Sequence, residues 1–248
     1  MQSSSPARRV QRVRHEIRRR ELTVARVAPV GAQFVAVTFA GESLSDFVSD
    51  SFDDHVKFMF DAGAAEPVKR DYTPRRFDRA ARELTIEFAL HGHGPASEWA
   101  RHATPGQRAT IAGPRGSMII PTDFDWHLLA GDATALPAIH RRIEELPAGT
   151  HAIVVVQAAD AADHRALASA AALDVHWVVD VDGVVSTVAG LAWPSGEGFV
   201  WCAGEATTMA RLRQVLLEQK LHPREAMRVA AYWKRGALAF HENIDGLD

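Results

Sequence analysis

The distribution of apolar residues changes once along this chain, between Pro121 and Trp126, and this change constrains the fold most strongly. Before it, apolar residues occur in short β-rich runs such as 34–39 and 84–90, without a long helical pattern. After it, apolar runs alternate with helical patterns. Short strands alone favour an antiparallel barrel or sandwich, whereas alternating strands and helices favour a parallel α/β sheet.

The two patterns predict two domains in a chain of 248 residues. We assign residues 1–20 to a basic N-terminal tail, 21–122 to an antiparallel β-barrel domain and 123–248 to a parallel α/β domain. Parallel sheets of this kind bind nucleotides at the carboxyl ends of their strands. In the second domain the expected strands are 127–131, 152–156, 175–179, 198–203 and 227–233, and the expected helices include 163–173 and 211–220.

Basic residues are concentrated at the N-terminus, although the formal net charge of the chain is −3. Against the single acid Glu16, the first twenty residues contain Arg8, Arg9, Arg12, Arg14, Arg18, Arg19 and Arg20. The rest of the chain is therefore acidic, and we expect no nucleic-acid groove in it. The arginine tail could contact a nucleic acid, a membrane surface or an acidic partner, but a solvated or partly helical extension is the favoured interpretation.

The single cysteine, Cys202, lies in an apolar run and is interpreted as a packing residue, because it has no partner for an internal disulfide. The first residues lack an apolar signal core, and no uncharged apolar run reaches membrane-spanning length. These features predict a cytoplasmic protein with no stable membrane insertion.

The most informative short motif is Arg70-Asp71-Tyr72-Thr73-Pro74, which lies between two expected strands. Alternation on an extended segment puts Arg70 and Tyr72 on one side, with Thr73 on the other until the proline bends the backbone. An arginine fork suits a phosphate, a tyrosine ring stacks on a flat heterocycle, and a threonine hydroxyl reaches a ring nitrogen or ribityl oxygen. Together they indicate a flavin nucleotide, with a surface turn as the simpler alternative.

A glycine-rich segment follows at 91–100, and either Pro95 or Ser97 can open a helix within it. Unpaired amide groups at the start of a helix favour a phosphate, which would complement the arginine of the previous motif. The histidines His91 and His93 are not joined by other metal-ligand residues, so no metal site is predicted.

Two further turns have the same character. Residues 113–117 form a tight glycine turn that would let the backbone approach a ligand closely. Residues 131–137 follow an apolar strand, and Thr134 is placed either to cap a helix or to contact a phosphate. The dinucleotide fingerprint Gly-x-Gly-x-x-Gly is absent from the sequence.

Taken in order, six segments resemble the siderophore-interacting protein family, the ferric-siderophore reductases among the ferredoxin reductase-like flavoproteins. The segments are 70–74, 91–100, 113–117, 131–137, 201–205 and 232–236. The resemblance implies an FAD-binding β-barrel followed by an NAD(P)H-binding α/β domain whose C-terminal segment covers the flavin. It also implies a ferric siderophore as substrate and FAD as cofactor, with NADPH, NADH or a reduced ferredoxin as electron donor.

The same resemblance implies a role for individual residues on the flavin side. Arg70 would hold the FAD pyrophosphate, Tyr72 would lie against the isoalloxazine, and Thr73 would hydrogen-bond near its reactive edge. The other implied FAD contacts are His91, Gly94, Ala96, Ser97, Trp99, Gly116, Ser117, Tyr232 and Trp233.

On the nicotinamide side, Thr134 and Ala135 would lie beneath the incoming nucleotide, with Glu205 facing the same cleft. Lys234 would add positive charge where the ferric siderophore enters, and it joins Thr73 as a candidate catalytic residue. Gln157 stands near the position where many relatives carry an acid, and Arg165 could meet a 2′-phosphate or remain solvated. The sequence therefore leaves the choice between NADH and NADPH open.

The activity implied is reduction of siderophore-bound iron(III) through FAD, which weakens the complex and releases iron(II). Two alternatives remain open at this point. One is a general diaphorase, or a reductase that serves a ferredoxin or flavodoxin. The other is a siderophore carrier that binds its ligand without a flavin.

Overall fold

The computed structural model describes residues 9–61, 66–90 and 94–237 and the backbone of strand 242–243.

The first domain is antiparallel. Seven strands of this domain form one sheet in the order β5-β4-β8-β2-β3-β7-β6, and β1 pairs separately with β9. In the described residues no ladder joins the edge strands β5 and β6, so the barrel is open. The strands are β1 (Gln11–Arg14), β2 (Arg19–Val30), β3 (Phe34–Ala40), β4 (Val56–Phe60), β5 (Val68–Tyr72), β6 (Arg76–Asp78), β7 (Glu83–Ala89), β8 (Arg108–Ala112) and β9 (Gly116–Ile119).

Aromatic side chains fill the interior of this sheet. The alternation in β4 turns Phe58 inward, and its ring centroid lies 4.8 Å from that of Trp99 on helix α1 (Pro95–Arg101). The ring of Tyr72, at the end of β5, lies 4.4 Å from that of Phe88. These contacts fix the end of β5 against the core, and with it the motif that begins at Arg70.

The second domain is a parallel α/β sheet in the order β12-β11-β10-β13-β14, with a short antiparallel strand beyond β14. All five carboxyl ends lie at one edge, with β10 in the centre. The expected antiparallel domain followed by a parallel α/β sheet is confirmed. The elements are β10 (Trp126–Gly131), α2 (Leu136–Glu145), β11 (His151–Gln157), β12 (Ala172–Val178), α3 (Val181–Gly190), β13 (Gly198–Glu205), α4 (Ala206–Gln214), β14 (Met227–Trp233) and β15 (Glu242–Asn243).

The expected helix at 163–173 is wrong. After a single 3-10 turn at Ala161–Asp163 the chain is irregular until β12 begins. The Asp163 carboxylate accepts two backbone N–H groups from the β2–β3 turn, and Arg165 pairs with Glu87 of β7. These bonds to the first domain hold the segment in an irregular path, so tertiary contacts override the helix propensity of its alanines.

The described part of the arginine-rich segment, residues 9–20, packs against both domains. Strand β1 pairs with β9, and β2 begins at Arg19. Arg9 pairs with Asp123 and Glu197 and lies 4.3 Å from the centroid of the Phe124 ring. These residues therefore have structural partners, although the sequence assigned them to a tail.

The two domains meet through the loop between β3 and β4. Trp201 Nε1 donates to Asp53 Oδ1 at 2.9 Å, and Arg228 Nε donates to Asp53 Oδ2 at 3.2 Å. The side chains of Asp53 and Arg228 are only 6% and 9% exposed. Beside them the Phe52 ring packs edge-on against Trp201, with centroids 5.4 Å apart. The loop thus anchors the first domain on β13 and β14.

Within the described residues, no helix has both the length and the apolar character needed to cross a bilayer.

A buried histidine in β10 predicts how stability depends on pH. Burial, and then the nearby Arg142, lower the pKa of His127 to about 3, so the ring is neutral in the folded protein. In the unfolded chain it titrates near pH 6.5, and its contribution to stability is therefore complete above that pH and lost as the pH falls towards 3. We expect the free energy of unfolding to drop by roughly 1 kcal/mol between pH 8 and pH 5.5 through this residue.

Denaturant unfolding of the wild type and of His127→Leu at the two pH values measures this contribution. The pKa values of His140 and His222 are also lowered by burial, so both proteins keep a residual slope of the same sign. The variant should show the smaller loss. Equal losses in the two proteins would contradict the assignment to His127.

Candidate functional site

A cavity of about 380 Å³ lies between the first domain and the carboxyl edge of the parallel sheet. Both domains contribute to its walls, which combine aromatic rings, hydroxyls and basic groups. The lining residues are Phe34, His55, Lys57, Lys69, Arg70, Asp71, Tyr72, Thr73, Glu87, Ala89, Gly94, Pro95, Ala96, Ser97, Thr134, Pro137, Tyr232, Trp233 and Ala237.

The motif at the end of β5 supplies one wall. Arg70, Tyr72 and Thr73 all face the cavity, because the strand ends at Tyr72 and the following turn brings Thr73 round to the same side. Arg70 Nη1 donates to the carbonyl oxygen of Lys69 at 2.7 Å, which holds the guanidinium at the rim. Burial raises the pKa of the Tyr72 phenol, so it stays protonated.

The start of helix α1 supplies a second wall. Gly94 is its N-cap residue, Pro95 occupies the first turn, and Ala96 and Ser97 are buried against the cavity. Ser97 Oγ donates to the carbonyl oxygen of Gly94 at 2.8 Å, which fixes the entry into the helix. The predicted site residue His91 lies outside the residues that the structure describes.

The end of β14 closes the cavity from the second domain. Tyr232 and Trp233 line it, and the Tyr232 hydroxyl is hydrogen-bonded to Thr73 across the domain boundary. Burial, and then the Asp53 carboxylate, raise the pKa of Tyr232 well above its ordinary value. Lys234 follows directly as an exposed residue whose carbonyl oxygen accepts the N–H of Ala237.

A carboxylate that the sequence analysis missed organises the centre of the parallel edge. Asp132, 5% exposed, follows β10 and accepts hydrogen bonds from Thr134 N at 2.9 Å and Thr134 Oγ1 at 2.5 Å. Its second oxygen accepts from Glu205 N at 2.8 Å and from Trp233 Nε1 at 2.9 Å. Asp132 therefore ties β10, β13 and β14 together. An Asp between a strand and a helix, in a helix-capping position, was the signal available in the sequence.

Two neighbours support this carboxylate. Glu205 Oε2 accepts from the backbone N–H groups of Thr207 and Thr208, and so caps α4. Gly204 has φ +153°, and a Cβ there would stand 2.6 Å from Asp132 Oδ2. Only glycine allows the carboxylate to approach this backbone.

Several predicted site residues lie elsewhere in the described structure. Trp99 packs in the core of the first domain, and Ala135 is buried beneath the parallel edge. Gly116 packs against β1, where a Cβ would stand 2.4 Å from the carbonyl oxygen of Val13. Ser117 Oγ donates to the buried Asp54 carboxylate at 2.8 Å. None of the four lines the cavity as described, and neither do Glu205 and Lys234.

Basic side chains surround the mouth of the cavity. His55 and Lys57 from one strand region and Lys69 and Arg70 from β5 all contribute to its lining. Lys57 Nζ lies 2.7 Å from Asp71 Oδ1, which holds that ammonium group at the rim. The described residues contain no cluster of three His, Cys, Asp or Glu side chains that could hold a metal ion. These basic side chains can attract an anion to the cavity.

The antiparallel sheet domain followed by a parallel α/β sheet is the fold of the Amycolatopsis cytochrome P450 reductase GcoB and of the ferredoxin reductase in carbazole 1,9a-dioxygenase, which superpose with TM-scores of 0.62 and 0.63 at 15% and 16% identity. Two family models match the chain, Siderophore-interacting FAD-binding domain over residues 61–118 and Siderophore-interacting protein over residues 124–236. The chain belongs to the siderophore-interacting protein family.

Three similar proteins cover nearly the whole chain. The NADPH-dependent ferric-chelate reductase of Escherichia coli is 34% identical over 90% of this chain and 96% of its own length. The ferric vibriobactin reductase of Vibrio cholerae is 28% identical over 90% of this chain and 93% of its own. The crystal structure of a siderophore utilization protein from T. fusca superposes with a TM-score of 0.87 at 32% identity, covering 94% of this chain and 98% of that one.

Proposed function

We propose that this protein is an FAD-dependent ferric-siderophore reductase that takes electrons from a nicotinamide nucleotide. The observation that carries the proposal is the shared cavity, in which Arg70, Tyr72 and Thr73 of the first domain face Tyr232 and Trp233 of the second. The relatives named ferric-chelate and ferric vibriobactin reductases support the reaction. We further propose the domain boundary at residues 122 and 123, and a cytoplasmic location, where reduced nicotinamide nucleotides are available.

The lining fits FAD. Tyr72, Tyr232 and Trp233 present flat rings to an isoalloxazine, and the hydrogen-bonded hydroxyl of Thr73 lies among them. Arg70 and Gly94 also line the cavity, and the guanidinium of Arg70 can pair with a pyrophosphate. Bound FAD supplies the redox step, since a flavin accepts a hydride from a nicotinamide nucleotide and returns electrons singly.

The chain's own residues bind, orient and exclude water. Asp132 holds Thr134 and Trp233, which both line the cavity, so one buried carboxylate would position residues on the nicotinamide side and on the flavin side of the site. The Tyr232 phenol, with its raised pKa, stays protonated and keeps its hydrogen bond with Thr73. No proton transfer from a side chain to iron is needed, because the reaction at the metal is an electron transfer.

The basic mouth suits an anionic ferric chelate. Lys57 and Lys69 line the cavity, and Lys234 follows directly after β14; together they would raise the local concentration of such a substrate. Siderophores hold iron(III) tightly and iron(II) weakly, so reduction releases the metal.

Replacing Arg70 with alanine is expected to weaken FAD binding by about 10–100-fold, because a charge-assisted contact to a phosphate is worth roughly 1.5–3 kcal/mol. Titration of the apoprotein with FAD, followed by flavin fluorescence, measures the dissociation constant. The matched control is Arg26→Ala, which removes an exposed arginine paired with Glu83 on the same domain. Equal affinities in the wild type and Arg70→Ala would remove Arg70 from the FAD site.

A reduced ferredoxin is the alternative donor. If flavin-loaded protein is not reduced by either nicotinamide nucleotide but is reduced by a ferredoxin, the donor changes while the flavin site stands. A protein that binds ferric siderophore but no flavin would instead be a carrier, and the proposed reductase would be wrong.

A further inference from the structure

We propose that the buried carboxylate of Glu87, in the wall of the cavity, lowers the reduction potential of the bound FAD and so makes the flavin a stronger reductant for siderophore-bound iron. The inference rests on the proposed function, because it concerns the flavin of that reaction. It gives a role to a charged group that holding the FAD does not by itself require.

Glu87 faces the cavity because side chains alternate along β7. The side chains of Ile86 and Phe88 lie in the core of the first domain, so Glu87 and Ala89 point to the opposite face of the strand. In the register of β3 with β7, Ala89 lies opposite Phe34, and both line the cavity beside Glu87. Glu87 is only 8% exposed. Its carboxylate therefore belongs to the inner wall of the cavity and not to the open rim.

Strand β7 also lies directly against the flavin motif. The ring of Phe88 packs on the ring of Tyr72, with centroids 4.4 Å apart. Just beyond the motif, the backbone N–H of Arg75 donates to the carbonyl oxygen of Thr85 at 3.0 Å. Glu87 and Tyr72 both line the cavity. The carboxylate thus shares a wall with the residues that are proposed to hold the isoalloxazine.

Two buried arginines pair with this carboxylate. Arg165 Nη1 lies 2.5 Å from Glu87 Oε2, and Arg75 Nε lies 3.3 Å from Glu87 Oε1. Their side chains are 10% and 8% exposed, and neither lines the cavity in the described structure. Arg75 also donates to both oxygens of Glu144, at 2.7 and 2.8 Å. A buried carboxylate paired in this way carries its charge at neutral pH, and the negative end of the network is the end that faces the flavin.

The charge of Glu87 acts on the redox step through simple electrostatics. Hydride transfer from a nicotinamide nucleotide adds two electrons and one proton to FAD, so the ring system gains one negative charge. A neighbouring carboxylate repels this charge and favours the oxidised flavin. Two ferric chelates then take one electron each, and the proton leaves to solvent. Because siderophores hold iron(III) far more tightly than iron(II), their iron is hard to reduce, and a flavin of lower potential drives the transfer further.

The potential can be measured without a nicotinamide nucleotide or a chelate, by reducing the FAD-loaded protein in equilibrium with a dye of known potential and following the visible absorption. Glu87→Gln removes the negative charge and should raise the equilibrium constant for flavin reduction by about tenfold, which is about 30 mV for a two-electron couple. Arg165→Gln leaves Glu87 paired with Arg75 but removes a compensating positive charge, so the constant should fall by about threefold or more. Opposite shifts distinguish an effect of charge from a looser domain contact, which would move both variants in the same direction.

The matched control is Glu144→Gln, which removes a carboxylate from the same network. The Glu144 side chain is 45% exposed and lies outside the described lining of the cavity, so the constant should change by less than about threefold. A potential unchanged in Glu87→Gln, or shifted in the same direction by Glu87→Gln and Arg165→Gln, would overturn the inference and leave the reductase standing. If Glu87→Gln does not fold, an unchanged potential in Arg165→Gln overturns it. A wild type that takes up no FAD would overturn the proposed function and this inference together.

Discussion

Replacing Asp132 with alanine should reduce nicotinamide-dependent reduction of the flavin-loaded protein by about a hundredfold, because small displacements of aligned groups have effects of this size. The carboxylate accepts four hydrogen bonds, and its loss leaves the buried N–H of Glu205 and the half-buried Nε1 of Trp233 without this partner. The free energy of unfolding should also fall by about 3–5 kcal/mol, since each unsatisfied buried donor costs about 1–3 kcal/mol. Stopped-flow reduction and denaturant unfolding measure the two effects.

A double-mutant cycle with Trp233 separates positioning from general destabilisation. Trp233→Phe keeps an aromatic ring but removes the Nε1 donor, so Asp132→Asn should have a smaller effect in that background than in the wild type. We expect a coupling energy of about 0.5–3 kcal/mol in the rate of flavin reduction. Additive effects on that rate would mean that the hydrogen bond between Asp132 and Trp233 does not position the site.

Replacing Asp53 with alanine should lower the free energy of unfolding by about 3–5 kcal/mol, because it leaves the buried Arg228 without this carboxylate at the domain boundary. It also removes the acceptor of the Trp201 indole N–H. FAD affinity should fall with stability, because the cavity is built from both domains. Urea unfolding and FAD titration provide the measurements.

The control for this variant is Asp50→Ala, in the same loop but with a side chain 50% exposed, where the cost should stay below about 1 kcal/mol. If Asp53→Ala were no more destabilising than Asp50→Ala, the Asp53 contacts would not hold the domains together.

Much of the fold can be predicted from the sequence, because the residue patterns that indicate its strands and turns are local. The strand at 227–233 appears with the expected bounds, and the β-rich runs at 34–39 and 84–90 form strands β3 and β7. The motif beginning at Arg70 lines the cavity because a strand end and a proline turn are both encoded within five residues. These elements needed no information from distant parts of the chain.

The features that the sequence does not predict depend on contacts between residues that are far apart in sequence. The helix expected at 163–173 is displaced by bonds to the barrel, and Ser117 is directed to Asp54 instead of the cavity. The role of Asp132 arises only when β13 and β14 meet β10. Pairing of Arg165 with Glu87, seventy-eight positions away, likewise depends on the contact between the two domains. No local pattern contains these contacts.

The most direct test of the central claim is the visible absorption spectrum of the purified protein under argon, recorded before and after a nicotinamide nucleotide and then a ferric hydroxamate. An FAD-dependent ferric-siderophore reductase should show flavin bands that bleach with NADH or NADPH and return when the ferric chelate is added. A protein that shows no flavin bands even after addition of FAD, or whose bleached bands do not return with any ferric chelate, would contradict the account.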